Sequence, residues 1–269
     1  MFCKRYPYLP RSSRIFSASL GKTSRYKLIK GEPALLVEDT LVVADLHIGY
    51  EGEVRLRGIV FPSLTEKMMD RILNLAKKHS IRRLLVVGDL KHTVYGPKGL
   101  EWMDVPAFMR KMVEELDWVG VVPGNHDGDL YAVLPDGVEL MDSDGIILNN
   151  ILFTHGHKRV DLILEKKRKE GSIVKTVVVG HFHPAVELVD DLGYRYVVPV
   201  WVKGMISGSV EILLMPAFNE NIGKLTVNNP EKISEELRGF LKTGSINLGE
   251  AEAYSLDLVL LGKINNIQV

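Results

Sequence analysis

Five short apolar runs, each ending in a polar turn, constrain the fold of this chain more than any other feature. They are rich in Val, Leu and Ile, and their length suits strands that are buried on both faces. Helix-forming segments lie between several of the runs, and this alternation predicts an α/β layered fold. In chain order the runs are 41–44, 84–87, 118–122, 151–154 and 177–179.

Helices are predicted between and after these runs. Ser63 and Glu66 have the spacing of a capping box, and apolar residues then recur every three or four positions. A second helix is predicted over residues 104–117 and a short basic one over 161–169. A further helix with an apolar stripe is expected over residues 230–242.

After residue 185 the pattern changes to consecutive strands, which predicts antiparallel β structure. The expected strands are 186–189, 194–198, 209–215, 224–227 and 256–261, with 190–193 as a hairpin turn. We expect one main domain over residues 26–220. A basic extension, residues 1–25, precedes it, and a small C-terminal addition, residues 221–269, packs on it.

Composition excludes several classes of protein. Lys plus Arg and Asp plus Glu both number 34, so no global basic field indicates nucleic-acid binding. The single Cys3 excludes an internal disulfide framework and favours a reducing, cytoplasmic location. No apolar run approaches the roughly 20 residues of a membrane span. The basic extension is either a poorly ordered terminus or an arm for nucleic acid.

Histidines are concentrated in the turns that follow the predicted strands. Ligands of α/β proteins bind at the carboxyl ends of strands, so these turns predict one shared site. The turn Gly124-Asn125-His126-Asp127 alone offers an amide, an imidazole and a carboxylate. Seven of the eight histidines are placed in this way: His47, His92, His126, His155, His157, His181 and His183.

The residue types in these turns indicate a metal site. Imidazole, carboxylate and amide oxygen without thiolate suit manganese, iron or zinc. The potential ligands are too many for one tetrahedral zinc, which favours two ions sharing a carboxylate. The absence of a Walker-type lysine loop and of a Gly-x-Ser-x-Gly turn disfavours a nucleotide-driven motor and a serine hydrolase.

Five ordered motifs resemble those of the calcineurin-like metallophosphoesterases. They are Asp45-x-His47, Gly88-Asp89, Gly124-Asn125-His126-Asp127, His155-Gly156 and Gly180-His181-x-His183. The resemblance covers residues 34–218 and implies a four-layer αββα sandwich of two mixed β-sheets flanked by helices. It also implies two divalent metal ions. Manganese is expected, with iron, zinc or nickel as alternatives.

The resemblance also assigns the ligands and the catalytic groups. His126 would lie over the phosphate and protonate the leaving oxygen, and Asp127 would orient it. The nucleophile would be a metal-bound hydroxide, without a covalent intermediate. His157 would either support a ligand or lie at the surface. Metal one would take Asp45, His47, Asp89 and His183, and metal two would take Asp89, Asn125, His155 and His181.

A further histidine bears on the substrate. Gly88-Asp89-Leu90-Lys91-His92 resembles the SbcD-type nucleases, in which the corresponding histidine contacts the scissile phosphate of DNA. The segments 180–185 and 215–220 resemble SbcD-related archaeal phosphoesterases and bacterial ligase-associated phosphoesterases. Residues 219–269 are too few for the DNA-capping domain and the ATPase-binding tail of the repair nucleases, so a stand-alone enzyme is expected.

The expected activity is therefore hydrolysis of a phosphodiester in DNA, RNA or a nucleotide. A phosphomonoesterase acting on phosphoprotein or a small metabolite, a protein-binding scaffold and a non-catalytic nucleic-acid binder are the alternatives. The oligomeric state stays open, and a homodimer is possible. Charges in the loops around the site either attract a polyanion or are simply solvated; these are Arg55, Arg57, Lys91 and Lys98.

Overall fold

The computed structural model describes residues 25–56, 58, 63–206, 208–229 and 247–268. The predicted helix over residues 230–242 and nearly all of the basic extension lie outside these residues. The described part contains four α-helices and two mixed β-sheets. The helices are α1 (Tyr50–Leu56), α2 (Leu64–His79), α3 (Glu101–Glu115) and α4 (Val160–Lys169).

The first sheet is built from the first half of the chain. Its strands are β1 (Lys27–Leu28), β2 (Leu35–Val37), β3 (Thr40–Val43), β4 (Arg83–Val87), β5 (Trp118–Val122) and β6 (Val138–Leu140). They lie side by side in chain order. The pairs from β3 to β6 are parallel, whereas β1, β2 and β3 pair antiparallel.

The second sheet follows the order β13-β10-β11-β12-β9-β8-β7, and β14 and β15 extend it from β11. Parallel pairing of β8 with β9 and of β9 with β12 forms its centre. Its strands are β7 (Ile146–Leu148), β8 (Ile151–Thr154), β9 (Thr176–Val179), β10 (Pro184–Val189), β11 (Arg195–Ile206), β12 (Val210–Leu214), β13 (Leu225–Thr226), β14 (Glu252–Ser255) and β15 (Leu260–Lys263).

Alternate residues of the central strands enter different hydrophobic layers. Leu84 of β4 packs in the layer that holds Ile72 of α2 and Phe108 of α3. Leu85, its neighbour, packs between the sheets with Trp201 of the second sheet. A third layer joins the second sheet to α4. This period of two buries each central strand on both faces and confirms the predicted four-layer αββα sandwich.

Some predicted boundaries differ from the structure. The last predicted strand, 256–261, is wrong over its first part, because residues 256–259 form the turn between β14 and β15. Leu258 has a φ of 63° there, which a strand residue does not adopt. Helix α1 and the short strands β1, β2, β6 and β7 were not predicted, since so few residues give no readable period.

Among the described residues, no helix combines the length and the apolar character needed to cross a bilayer.

Candidate metal centre and active site

The turns after five strands meet at one edge of the sandwich. Backbone hydrogen bonds join the turns after β3 and β4: Asp45 N donates to Gly88 O at 3.1 Å and His47 N to Asp89 O at 2.8 Å. The second sheet is joined to them through His181 N, which donates to the Asp45 carboxylate at 3.1 Å. The carboxyl ends of strands in both sheets therefore form a single site, as predicted.

Five residues of these turns have left-handed backbone conformations. The φ angles are 58° for Asp45, 46° for His47, 49° for Asp89, 67° for His181 and 43° for His183. Non-glycine residues rarely adopt this region, and they do so mainly where the surrounding structure enforces it. The chain therefore bends sharply after β3, β4 and β9, which lets residues two apart in sequence reach neighbouring cation positions.

Two groups of side chains could each hold a metal ion. The first comprises Asp45, His47, Asp89 and His183, and the second comprises Asp89, His155 and His181. Within each group the ligand atoms all lie within 4.8 Å of one another. Asn125 adjoins the second group, with its Oδ1 3.1 Å from His155 Nε2. Asp89 belongs to both groups, so the two cation positions are adjacent.

The hydrogen bonds of the histidines fit metal ligation. His183 Nδ1 donates to Gly223 O at 2.9 Å, and His155 Nδ1 donates to Val87 O at 3.3 Å. A proton committed to a carbonyl leaves the lone pair on Nε2, the usual arrangement of a metal-binding histidine. Among the described residues, the buried Nε2 atoms of His47 and His183 have no hydrogen-bond partner. Because Asp45 and Asp89 are also buried, the donor set suits divalent cations.

The same groups perturb one another's protonation. Burial would raise the pKa of Asp45 and of Asp89, but the neighbouring histidines outweigh it and lower both. Burial would lower the pKa of His155, but the Asp89 carboxylate outweighs it and raises that pKa to about 9. Burial lowers the pKa of His47 to about 3 and that of His181 to about 4. Without a cation, the His155 ring therefore stays protonated at neutral pH, next to the Asp89 carboxylate.

His126 stands beside the first group. Its backbone N donates to Asp89 Oδ1 at 2.9 Å, and its ring centroid lies 4.8 Å from that of His47. Its Nδ1 donates to the carbonyl of His92. Nitrogens of His47, His92 and His126 also come within 4.8 Å of one another, but these hydrogen bonds already engage several of them.

Asp127 acts on the backbone rather than on the ring that it was predicted to orient. Its Oδ2 accepts hydrogen bonds from Gly124 N at 2.7 Å and Leu90 N at 3.3 Å, and its Oδ1 accepts one from Lys91 N at 3.2 Å. The short side chain folds back onto its own turn, as aspartate often does. Burial, followed by the charge of Asp89, raises its pKa to about 6.

At two glycines of the motifs, neighbouring atoms leave no space for a Cβ atom. A Cβ on Gly124 would overlap the carboxylate and the backbone of Asp89. A Cβ on Gly88, whose φ is 81°, would overlap the ring of His155. These glycines therefore let the backbone of each turn approach the ligands of another.

Lys91 is buried, although its place in a loop predicted a solvated charge. Its Nζ donates to the carbonyls of Thr93, Tyr95 and His126, and burial lowers its pKa. The ammonium therefore joins the loop after β4 to the turn that carries His126. Nothing in the sequence reveals that three carbonyls converge on this side chain.

Glu101, the first residue of α3, braces the same loop and is also buried. Its Oε1 accepts from His92 N at 3.0 Å and Thr93 N at 2.7 Å, and its Oε2 accepts from Lys98 N at 2.8 Å. The sequence prediction placed the start of this helix after Glu101 and missed its role.

His92 has both ring nitrogens engaged. Its Nε2 lies 2.8 Å from Glu53 Oε2, and its Nδ1 lies 3.3 Å from His47 Nδ1. Glu53 belongs to α1, which the sequence did not reveal, so its proximity to the site was also missed. The predicted contact between His92 and a phosphate would have to compete with these two partners.

His157 lies beside the second group without belonging to it. Its ring centroid is 5.4 Å from that of His155 and 6.4 Å from that of His181. Its Nδ1 is buried and has no hydrogen-bond partner among the described residues. Burial lowers its pKa to about 4. Of the two alternatives for this residue, the structure favours a position next to the ligands.

Known proteins resemble the chain in sequence and fold. The family model of the calcineurin-like phosphoesterases matches residues 39–204, more than half of the chain. The crystal structure of the nuclease MPE from Pseudomonas putida is 22% identical and matches with a TM-score of 0.55, covering 88% of this chain and 100% of that one. The phosphoesterase Yfce from E. coli is 15% identical, with a TM-score of 0.39 and coverage of 84% and 99%.

Proposed function

The chain belongs to the calcineurin-like phosphoesterase family, and on that premise we propose that it is a dinuclear metal-dependent phosphodiesterase. The observation that carries the proposal is that two groups of potential ligands share Asp89, with His126 directly beside them. Two adjacent cations and one neighbouring acid–base group are the arrangement that phosphoryl transfer uses.

Each ligand has a proposed place. Asp45, His47, Asp89 and His183 hold one ion, and Asp89, Asn125, His155 and His181 hold the other. Bound ions supply a nucleophile from water and neutralise charge that develops on the phosphate. We propose manganese as the native metal; the carboxylate, imidazole and amide donors, without thiolate, suit manganese and also iron and zinc.

His126 is the proposed proton donor to the leaving oxygen. Its Nδ1 proton is held by the carbonyl of His92, so Nε2 is the nitrogen left to carry the transferred proton. Asp127 and Lys91 act through the backbone: the first holds the turn closed, and the second binds the carbonyl of His126. A ring held in this way is oriented before the substrate arrives.

A phosphodiester is the proposed substrate class. A phosphomonoester carries a second negative charge, which a cationic side chain in the site would favour. Lys91, next to the ligand-bearing turn, directs its ammonium at three protein carbonyls and is not placed to meet that charge. The motif that includes Lys91 and His92 also resembles nucleases, so DNA, RNA and nucleotides are the candidate substrates.

The test is hydrolysis of an aryl phosphodiester and of the matching monoester, with added manganese and with a chelator. We expect manganese-dependent cleavage of the diester, at a higher rate than the monoester. Faster cleavage of the monoester would favour the phosphomonoesterase alternative. If neither ester were cleaved with any of the four candidate metals, the proposal would fail and the scaffold alternative would stand.

A further inference from the structure

A chain of three side chains leads from the surface of α1 to the first metal-binding group. Glu53 Oε2 lies 2.8 Å from His92 Nε2, and His92 Nδ1 lies 3.3 Å from His47 Nδ1. At the far end, His47 Nε2 lies 3.5 Å from Asp89 Oδ2. Exposure falls along the chain: the side chains of Glu53, His92 and His47 are 46%, 17% and 5% exposed.

Simple hydrogen-bond rules fix the direction of this chain. An ionised carboxylate only accepts, so His92 Nε2 must carry the proton that it shares with Glu53. A neutral imidazole has one N–H, so His92 Nδ1 then has only its lone pair. The hydrogen bond between the two Nδ1 atoms therefore takes its proton from His47. This leaves the lone pair of His47 on Nε2.

That tautomer is the one that the first group needs. His47 Nε2 is buried and has no hydrogen-bond partner among the described residues, yet it lies among Asp45, Asp89 and His183. Carboxylate partners of metal-binding histidines commonly fix both the ring orientation and the tautomer. Here a second imidazole stands between the carboxylate and the ligand.

We propose that Glu53 and His92 are positioning residues that hold His47 with its Nε2 lone pair directed at the first cation position. The inference rests on the proposed function only in requiring that His47 bind a cation. It also replaces the expected contact of His92 with the scissile phosphate, because both ring nitrogens of His92 already have partners.

The backbone around His92 supports a fixed position. Its N–H lies 3.0 Å both from the carbonyl of Ile48 and from Glu101 Oε1, and its own carbonyl accepts from His126 Nδ1. His92 therefore contacts both the ligand His47 and the proposed acid His126. Glu53 reaches this arrangement from the partly exposed side of α1, with 46% of its side chain exposed.

The test compares manganese titrations of the wild type with those of Glu53→Ala, His92→Leu and His92→Asn. We expect Glu53→Ala and His92→Leu to weaken one of the two sites by about 10- to 100-fold and to leave the other unchanged, because each removes a hydrogen-bond acceptor from the chain. His92→Asn should retain most of the affinity, because its amide oxygen can accept from His47 Nδ1. The matched control is Glu115→Ala, whose side chain is 49% exposed and paired with Lys111 on α3.

Nitrogen NMR of the metal-free protein gives a second readout, with the proton expected on Nδ1 of His47 and on Nε2 of His92. Unchanged manganese affinity at both sites in Glu53→Ala and His92→Leu would overturn the inference. If turnover nevertheless fell in His92→Leu, contact with the phosphate would be restored as the role of His92. A wild type that binds no divalent ion would overturn the proposed function as well, so the two failures are distinguishable.

Discussion

The two sheets contribute different chemistry to the site. The turns of the first sheet provide both carboxylates of the candidate metal groups, the amide, one imidazole and the proposed acid, whereas the turns of the second sheet provide only imidazoles. The hydrogen bonds that hold the turns in place differ as well. In the first sheet they come from side chains, those of Asp127, Lys91, Glu101 and Glu53. The potential ligands His155 and His183 of the second sheet are held by main-chain carbonyls.

This difference indicates how the site is divided between the sheets. In the proposed centre, the first sheet carries the negative charge that attracts cations and the group that moves a proton, and buried polar side chains hold its loops in place. In the same proposal, the second sheet completes the coordination with imidazole rings only. Substitutions in the first-sheet half should therefore alter charge, proton transfer or stability, and those in the second-sheet half should remove single ligands.

The largest effect is expected for Asp89→Asn. Loss of even an outer hydrogen-bond partner of a metal ligand costs roughly 10- to 100-fold, and Asp89 is the carboxylate common to both groups. We expect loss of both ions and of turnover, measured by metal content and diester hydrolysis. His181→Ala should lose one ion only, and the exposed Asp136→Asn is the control. Equal metal loss in Asp89→Asn and His181→Ala would contradict the proposed difference between the two sheets.

Next in size is His126→Ala. A positioned acid contributes roughly 100- to 10,000-fold to turnover. We expect a loss in that range with both ions retained, because His126 lies beside the first group and its ring is already bonded to a carbonyl. Metal analysis and kinetics on the same preparation check this. A parallel loss of metal would show that His126 is a ligand instead.

Metal binding should release a proton from His155 of the second sheet. The pKa of His155 in the metal-free protein is about 9, so the ring is protonated at pH 7, and a cation must displace that proton. Affinity for manganese should therefore fall as the pH falls below about 9. Calorimetry in buffers of different ionisation enthalpy should detect at least about one proton released per chain at pH 7. No release at pH 7 would contradict a protonated His155.

The smallest effect is expected for replacement of Lys91, which should lower the free energy of unfolding. Lys91→Met would leave three carbonyls without their ammonium donor, which should destabilise the fold by about 2–4 kcal/mol. Lys98→Met in the same loop, where the lysine is exposed, should change stability by less than about 0.5 kcal/mol. Urea denaturation measures both. Equal values for the two would mean that the buried ammonium does not brace the loop.

The sequence predicted the buried strands and the residues that converge because both depend on local pattern, whereas the division into two sheets came from the resemblance to the family. Apolar runs specify buried strands, and the polar turns at their carboxyl ends bring Asp45, Asp89 and His155 together. The burial of Lys91 and the contact between Glu53 and His92 depend on side-chain directions and on loops distant in sequence. The hydrogen-bond partners of Asp127 were not predicted for the same reason. Its side chain could turn either onto its own turn or towards His126, and the sequence does not fix that direction.

The central claim is that two cations lie side by side across Asp89. Electron paramagnetic resonance of the manganese-loaded protein tests it most directly, because adjacent manganese ions are magnetically coupled and isolated ones are not. We predict a coupled spectrum for the wild type at saturation and its loss in Asp89→Asn. A spectrum of isolated ions at full loading of the wild type would contradict the dinuclear centre.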